Sequence, residues 1–277
     1  MTEVKYLDAI FHRGAAYTVG KVNGDHWLLY MTEPRRTKSA IPRTIEICQS
    51  EGASQSDLPR GTDYTIEILM THLSPTASEQ FFSPEFGDEN TPSTHARALS
   101  FQTGISDLFP SHLTTLDAYS FTPCGYSSNA LIKWSRPLED YQDMPSAGEG
   151  YFTIHVTPEI GWSYASFECN VPLPTHPSHE ASSIPDLQTL VRRVVKIFQP
   201  AKLSLTLFIS SLGNSSAEEE EGISTVEAAQ RAFRLALTSP SKTNGGKEGS
   251  LTYRRTDKIN YEFYSYDLAF ASFELNS

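Results

Sequence analysis

Apolar and polar residues alternate along much of this chain, a pattern that is typical of β-strands with one buried face. Strands are predicted at DYTIEILMTHL from Asp63, Thr114 to Phe121, Tyr151 to Thr157, Trp162 to Cys169, KLSLTLFIS from Lys202, Tyr253 to Tyr266 and Leu268 to Glu274. Near the N-terminus, the apolar segments AYTVGKV and DHWLLYM flank Asn23 and Gly24, a dipeptide that favours the positive φ angles of a hairpin turn. The chain is therefore predicted to be rich in antiparallel sheet.

Helical spacing and capping signals occur between these strands. Helices are predicted at Thr2 to Phe11, Ser74 to Phe82, from Asp186 to the stop at Pro200, and Ser224 to about Leu237. Residues 33–62 and 211–222 are rich in Pro, Ser, Gly or Glu and are interpreted as loops. Because strands follow one another in groups with only two or three helices between them, the predicted fold class is α+β, an antiparallel sheet flanked by helices.

Composition and charge narrow the functional classes. The 277 residues contain 22 Lys and Arg against 33 Asp and Glu, a net charge of −11, which opposes binding to nucleic acid. No apolar run is long enough for a membrane span, the N-terminus does not resemble a signal peptide, and three widely spaced cysteines suggest neither a disulfide framework nor a metal site. A cytoplasmic protein without a metal cofactor is expected.

Two strands carry polar side chains that could form a site. On the strand that begins at Asp63, the side chains of Asp63, Thr65 and Glu67 share one face. This face is either a solvent-facing surface or a cation site, and the second interpretation follows from the lack of Lys or Arg on it. On the strand Tyr151 to Thr157, His155 lies on the face opposite the apolar one, where it is either structural or positioned for proton transfer. Glu159 follows at the end of this strand.

Two further segments carry candidate groups. Trp162, Tyr164, Ser166 and Glu168 alternate onto one strand face. The segment SFTPCGYSSN contains a Pro-Cys-Gly turn that could expose Cys124, Ser127 or Ser128, although nothing local identifies a base for a nucleophile. Motifs typical of dinucleotide-binding, P-loop and α/β-hydrolase proteins are absent from the sequence.

Taken together, these segments resemble the eukaryotic S-adenosylmethionine decarboxylase family. The resembling stretches, in the family's order, are YLDAIF, GAAYTVGKVNGDHWLLY, DYTIEILM, TGISDLFP, FTPCGYSSN, YFTIHVTPE, YASFECN, LVRRVVKIFQP with LTLF, and YDLAFASFE. FTPCGYS and TIHVTPE are the most specific of them. The resemblance implies part of a four-layer α/β/β/α sandwich, with the active site between two antiparallel sheets.

The resemblance also implies a chemistry. Members are pyruvoyl enzymes of spermidine and spermine biosynthesis, in which autocatalytic cleavage converts an internal serine into the cofactor that accepts the substrate amine. By similarity, Ser127 and His155 are the hydroxyl and base that form the pyruvoyl group, while Phe121 stacks on adenine and Glu159 holds the ribose of S-adenosylmethionine. The residues implied in binding the activator putrescine are Asp63, Thr65, Glu67, Glu168 and Phe208.

The sequence departs from the family most clearly at the site of self-cleavage. Family members cleave at a Glu-Ser bond in an N-terminal portion, whereas these 277 residues contain no Glu-Ser dipeptide. The chain is thus expected to be a single C-terminal decarboxylase-like domain over 1–277, with insertion-like loops near 33–62 and 211–250, whose pyruvoyl group comes from a serine outside it. It is expected to be inactive alone and to need the missing N-terminal portion. The alternative is a non-catalytic regulatory paralogue or partner subunit of a complete decarboxylase.

Overall fold

A computed structural model describes most of the chain. The described residues are 2–21, 26–32, 63–88, 90–135, 147–174, 184–210, 223–239, 251–263 and 266–276. They fall into two compact units, Met1–Gly61 and Thr62–Ser277.

The first unit contains a helix and a two-stranded sheet. Helix α1 covers Thr2–Ile10, and strands β1 (Ala15–Gly20) and β2 (His26–Met31) pair antiparallel. The Tyr30 hydroxyl of β2 donates a hydrogen bond to Asp8 Oδ1 of α1 at 2.9 Å. The predicted helix and paired strands are confirmed, while the Asn23-Gly24 turn and the loop at 33–62 lie outside the described residues.

The second unit is built on an eight-stranded antiparallel sheet with the order β4-β5-β6-β7-β3-β8-β10-β9. Its strands are β3 Tyr64–Leu73, β4 Thr114–Ser120, β5 Tyr126–Ser135, β6 Ala147–Thr157, β7 Tyr164–Cys169, β8 Pro200–Ser210, β9 Tyr253–Glu262 and β10 Tyr266–Leu275. Every neighbouring pair is antiparallel, which confirms the predicted sheet type.

Four helices of the second unit begin at side-chain caps. They are α2 Pro75–Glu79, α3 Pro92–Thr103, α4 Leu187–Phe198 and α5 Thr225–Thr238. Their N-cap residues, Ser74, Thr91, Asp186 and Ser224, each accept a hydrogen bond from a backbone N–H in the first turn. None of the described helices is long and apolar enough to cross a membrane.

Side-chain alternation places the core between the helices and one face of the sheet. In β3, Ile66, Ile68 and Met70 are fully buried, whereas Thr65 and Glu67 are only partly buried on the opposite face. The apolar stripe of α4 joins the same core cluster, as does that of α5. The sheet therefore has one apolar face covered by helices and one face that carries the polar side chains.

Some predicted elements need correction. Helix α3 was not predicted, because it buries only Ala96, Leu99 and Ser100 and has no strong apolar stripe for the sequence pattern to show. Strand β5, which was not predicted, buries alternate residues from Tyr126 onward. The predicted strand from Tyr253 to Tyr266 is wrong at its end, since β9 stops at Glu262 and β10 begins at Tyr266.

Candidate active site on the polar face of the sheet

A serine and a histidine meet on neighbouring strands. Ser127 of β5 is paired in register with His155 of β6, and a 3.0 Å hydrogen bond joins Ser127 Oγ to His155 Nδ1. The adjacent residues Tyr126 and Val156 point to the other face and are buried in the core. Burial of these neighbours fixes both strands, so the polar pair is held in place by the packing of the sheet.

The turn between β4 and β5 presents an aromatic ring beside this pair. Gly125 has a φ angle of +114°, which disfavours any residue with a Cβ. Its N–H donates to the Phe81 carbonyl at 2.9 Å, and its own carbonyl accepts from the Phe121 N–H at 3.0 Å. Phe121 is 47% exposed, and its ring centroid lies 5.1 Å from that of Tyr119. The turn therefore holds a large, accessible aromatic surface next to Ser127.

A carboxylate completes this region. Glu159 lies just after β6 and lines the same groove as the Cys124 thiol, whose pKa is raised by burial and then by the negative charge of Glu159. The resulting groove has a volume of about 340 Å³. Its lining residues are Phe121, Cys124, Gly125, Tyr126, Ser127, His155, Val156, Thr157 and Glu159. The groove thus brings together the candidate Cys124 and the four residues that the resemblance implies, Phe121, Ser127, His155 and Glu159.

Two glutamates face each other on the central strands. Glu67 of β3 is paired in register with Glu168 of β7. Burial raises the pKa of Glu67, and the charge of Glu168 raises it further. The Tyr151 hydroxyl donates to Glu168 Oε1 at 2.7 Å. Within the described residues, neither carboxylate is paired with Lys or Arg, so part of this negative charge is uncompensated.

The remaining predicted diamine ligands are further away along the strands. Thr65 and Phe208 are paired in register on β3 and β8, one row of side chains beyond Glu67. Asp63 precedes β3, and its Oδ2 accepts a 2.6 Å hydrogen bond from the Tyr266 hydroxyl. Four residues of extended chain span about 13 Å, so Asp63 lies well away from Glu67. The five predicted residues are therefore distributed along the strands, with the glutamate pair as the most compact part.

The groove and the glutamate pair share the polar face. His155 is in register with Ser166 of β7, and Glu168 lies two residues further along the same strand. Such diagonal neighbours in a sheet are about 7 to 8 Å apart. A cation held by the glutamates would therefore lie within electrostatic range of the serine–histidine pair.

Two tyrosines of this face were missed as site residues by the sequence reasoning. Tyr119 is paired in register with Ser127, and Tyr151 binds Glu168. The alternation of β4 and β6 already places them on the polar face, but their partners depend on strand pairing that the sequence does not reveal. Within the described residues, no cluster of three or more His, Cys, Asp or Glu side chains could hold a metal ion.

Comparison with known proteins defines the class. The family model described as adenosylmethionine decarboxylase matches residues 1–274. The chain belongs to this family.

Individual relatives agree with this assignment. S-adenosylmethionine decarboxylase proenzyme from Xenopus laevis is 31% identical over 271 residues, 98% of this chain and 58% of that protein. The proenzyme from Saccharomyces cerevisiae is 32% identical over 236 residues, covering 78% of this chain and 50% of the relative. The chain thus spans about half to three-fifths of the length of these relatives.

A solved structure shows the same fold. The crystal structure of the Trypanosoma brucei AdoMetDC-delta26 monomer matches with a TM-score of 0.56 and 17% sequence identity, over 100% of this chain and 77% of that chain. At this identity the match concerns the fold alone, and it supports the α+β assignment.

Proposed function

We propose that the complete protein containing this chain is a pyruvoyl-dependent S-adenosylmethionine decarboxylase of spermidine and spermine biosynthesis. The observation that carries the proposal is the 3.0 Å Ser127–His155 hydrogen bond in a groove that Phe121 and Glu159 also line. Family membership and the proenzyme names of the relatives support it. In this proposal the chain supplies the processing pair and half of the substrate site.

Each groove residue has a role that its chemistry suits. The accessible ring of Phe121 stacks on the adenine of S-adenosylmethionine. The carboxylate of Glu159, which lines the groove beside the Cys124 thiol, accepts hydrogen bonds from the ribose hydroxyls. Ser127 offers a hydroxyl, and His155 accepts or returns its proton during formation of the cofactor.

The residues present fit a pyruvoyl group. The hydroxyl–imidazole pair is preformed at hydrogen-bond distance, which suits proton transfer at a backbone cleavage site. Ser127 and His155 would lie against the group, which supplies an electron sink for decarboxylation when it is present. The serine that becomes the cofactor belongs to a segment outside these 277 residues, since they contain no Glu-Ser dipeptide.

The glutamate pair is the core of a putrescine site. Two facing carboxylates without a basic partner among the described residues repel each other, and an organic dication relieves this repulsion through charge-assisted hydrogen bonds. Tyr151 orients Glu168, while Thr65, Phe208 and Asp63 extend the site along the strands. Putrescine bound here would act on the neighbouring His155 as an activator.

Organisation and compartment belong to the same proposal. We treat residues 1–277 as one decarboxylase-like domain with insertions near 33–62 and 211–250. Cys124 and Cys169 are both free thiols, which favours the reducing cytoplasm.

A second candidate function is favoured by the missing Glu-Ser dipeptide. The chain would then be a non-catalytic paralogue that keeps the diamine site and regulates a complete decarboxylase as its partner subunit. In that case, addition of the chain to a complete decarboxylase should change the rate of that enzyme.

The experiment measures carbon dioxide released from carboxyl-labelled S-adenosylmethionine. We expect the protein from the complete reading frame to release it and the 277-residue chain alone to release none, because no pyruvoyl group can form from its own sequence. Release by the isolated chain would overturn the need for an N-terminal portion. No release by the complete protein, combined with a changed rate in an added decarboxylase, would favour the regulatory function.

A further inference from the structure

A second groove, distant in the sheet order from the Ser127–His155 pair, lies between α5 and the edge strand β9. It has a volume of about 440 Å³. Its lining residues are Ile223, Ser224, Glu227, Gln230, Arg231, Arg234, Arg255 and Lys258. Four of these side chains are cationic and one is anionic, in a protein with a net charge of −11. The local excess of positive charge is therefore opposite to that of the whole chain.

The chain brings these cations together from two elements. Arg231 and Arg234 are three residues apart on α5, a spacing that places side chains on one face of a helix. Arg255 and Lys258 are also three residues apart, a spacing that would put them on opposite faces of a regular strand. The pairing of β9 with β10 shifts at Ser272/Phe273, and this irregularity lets both side chains line the same groove.

The cations differ in their pairing. Lys258 Nζ lies 3.0 and 2.9 Å from the two carboxylate oxygens of Glu227, so its charge is compensated. Within the described part of the chain, the guanidinium groups of Arg231, Arg234 and Arg255 form no hydrogen bond or ion pair with another side chain. Edge strands often carry basic residues that prevent pairing with other chains, but that role does not account for the two arginines on α5.

The groove is held in a fixed shape by Gln230. This residue is 2% exposed, and the two N–H groups of its Nε2 are shared among the Ile259 carbonyl, Asn260 Oδ1 and the Phe270 carbonyl at 3.3, 2.9 and 3.0 Å. These bonds tie α5 to β9 and β10. The arginines therefore extend from backbones whose spacing is set before a ligand arrives, which lowers the cost of binding.

We propose that the α5–β9 groove binds a small anion with linked phosphate groups, through Arg231, Arg234 and Arg255. A guanidinium matches phosphate oxygens with two parallel hydrogen bonds, and a chain of linked phosphates places several negative charges close together. Pockets of about 300 to 1,000 Å³ suit ligands larger than a single phosphate ion. The shared chemistry is a chain of phosphates, either as a free polyphosphate or within a nucleotide. The proposal does not depend on decarboxylase activity.

The test uses the 277-residue chain and two probes, tripolyphosphate and ATP, with calorimetric titration at low salt. We expect binding that weakens as salt increases, and a loss of about tenfold in affinity for each of Arg231→Ala, Arg234→Ala and Arg255→Ala, since a charge-assisted hydrogen bond contributes about that much. Arg97→Ala, which removes an exposed arginine from α3, serves as the matched control and should bind like the wild type. Circular dichroism checks that each variant is folded.

A gain-of-function variant strengthens the test. Glu227→Gln removes the one carboxylate and releases the Lys258 charge, so affinity for both probes should rise by about two- to fivefold, a direction that a damaged fold would not produce. Binding of ATP but not tripolyphosphate would assign the groove to nucleotides. If the two probes bind with the same affinity per unit of negative charge, the groove is assigned to polyphosphates. Absence of binding by the wild type, or equal binding by the wild type and the arginine variants, would overturn the proposal.

Discussion

At the scale of single residues, the Ser127–His155 pair is the feature on which the proposed chemistry depends most. In the complete protein, we expect Ser127→Ala and His155→Ala to leave uncleaved precursor, because cofactor formation needs a hydroxyl and a base at hydrogen-bond distance. Loss of such a group typically slows a step by about 10²- to 10⁴-fold. A denaturing gel over time measures cleavage, with His112→Ala, an exposed histidine elsewhere, as the control. Normal cleavage in both site variants would remove this role.

The ring of Phe121 should affect substrate binding and not cleavage. Phe121→Ala removes an aromatic surface that is 47% exposed in the groove. Stacking contributes about 0.5 to 1.5 kcal/mol beyond area burial, so KM should rise by about two- to thirteenfold with cleavage intact. Phe101→Ala is the matched control, since that side chain is 74% exposed on α3. An unchanged KM for Phe121→Ala would place adenine elsewhere.

The raised pKa of Glu67 predicts a pH-dependent stability. Because burial and the charge of Glu168 make ionisation harder in the folded state, the folded chain keeps its proton to higher pH than the unfolded chain. Stability should therefore fall as pH rises from the ordinary glutamate pKa through the raised one. In Glu67→Gln this fall should be absent, and at neutral pH without ligand its melting temperature should be higher by up to about 4 °C.

Thermal melts between pH 4 and 8 measure this effect. Glu79→Gln, which changes an exposed carboxylate on α2, should follow the wild type. Putrescine should stabilise the wild type and not Glu67→Gln, because a ligand that binds the folded state raises its stability. An equal putrescine response in both proteins would mean that Glu67 is an ordinary strand residue.

At the scale of elements, the β4–β5 turn connects the backbone to the groove. Gly125→Ala introduces a Cβ at a φ angle of +114°, a conformation that side chains rarely adopt, while the Cβ itself meets the Phe121 Cβ at an ordinary contact distance of 3.5 Å. We expect a loss of about 1 kcal/mol or more in unfolding free energy, together with a higher KM as the strained turn relaxes and moves Phe121. Gly87→Ala is the control, because a Cβ there meets no atom within 4 Å. Urea unfolding measures the stability of both, and equal stabilities would contradict the argument.

The strands also show which features of the site could be predicted from the sequence. Alternation assigned the correct face of the sheet to His155, Glu67 and Glu168, because the face of a side chain depends only on its position within its own strand. The partners of these residues depend on strand pairing: Ser127 meets His155 only because β5, which was not predicted, is adjacent to β6. The roles of Phe121 and Glu159 came from family resemblance, because neither residue carries a local signal for adenine or ribose.

At the scale of the whole molecule, the net charge affects which ligands approach the site, and the length of the chain determines how much of its relatives it covers. A net charge of −11 favours the approach of cations such as a diamine. The thermal stabilisation by putrescine should therefore weaken as ionic strength rises. The chain spans 58% of the Xenopus laevis relative and 50% of the Saccharomyces cerevisiae relative. The order of its motifs was enough to identify the family, whereas these residues contain no Glu-Ser dipeptide from which the proposed cofactor could be assigned.

The central claim is that this chain functions with a pyruvoyl-bearing polypeptide. Intact-mass measurement of the endogenous protein, before and after reduction with borohydride in the presence of an amine, tests it most directly. We predict a pyruvoyl-blocked N-terminus on a polypeptide that contains Ser127 and His155 or copurifies with it, and a mass increase on reduction. An endogenous protein without any pyruvoyl group, alone or in its isolated complex, would contradict the account.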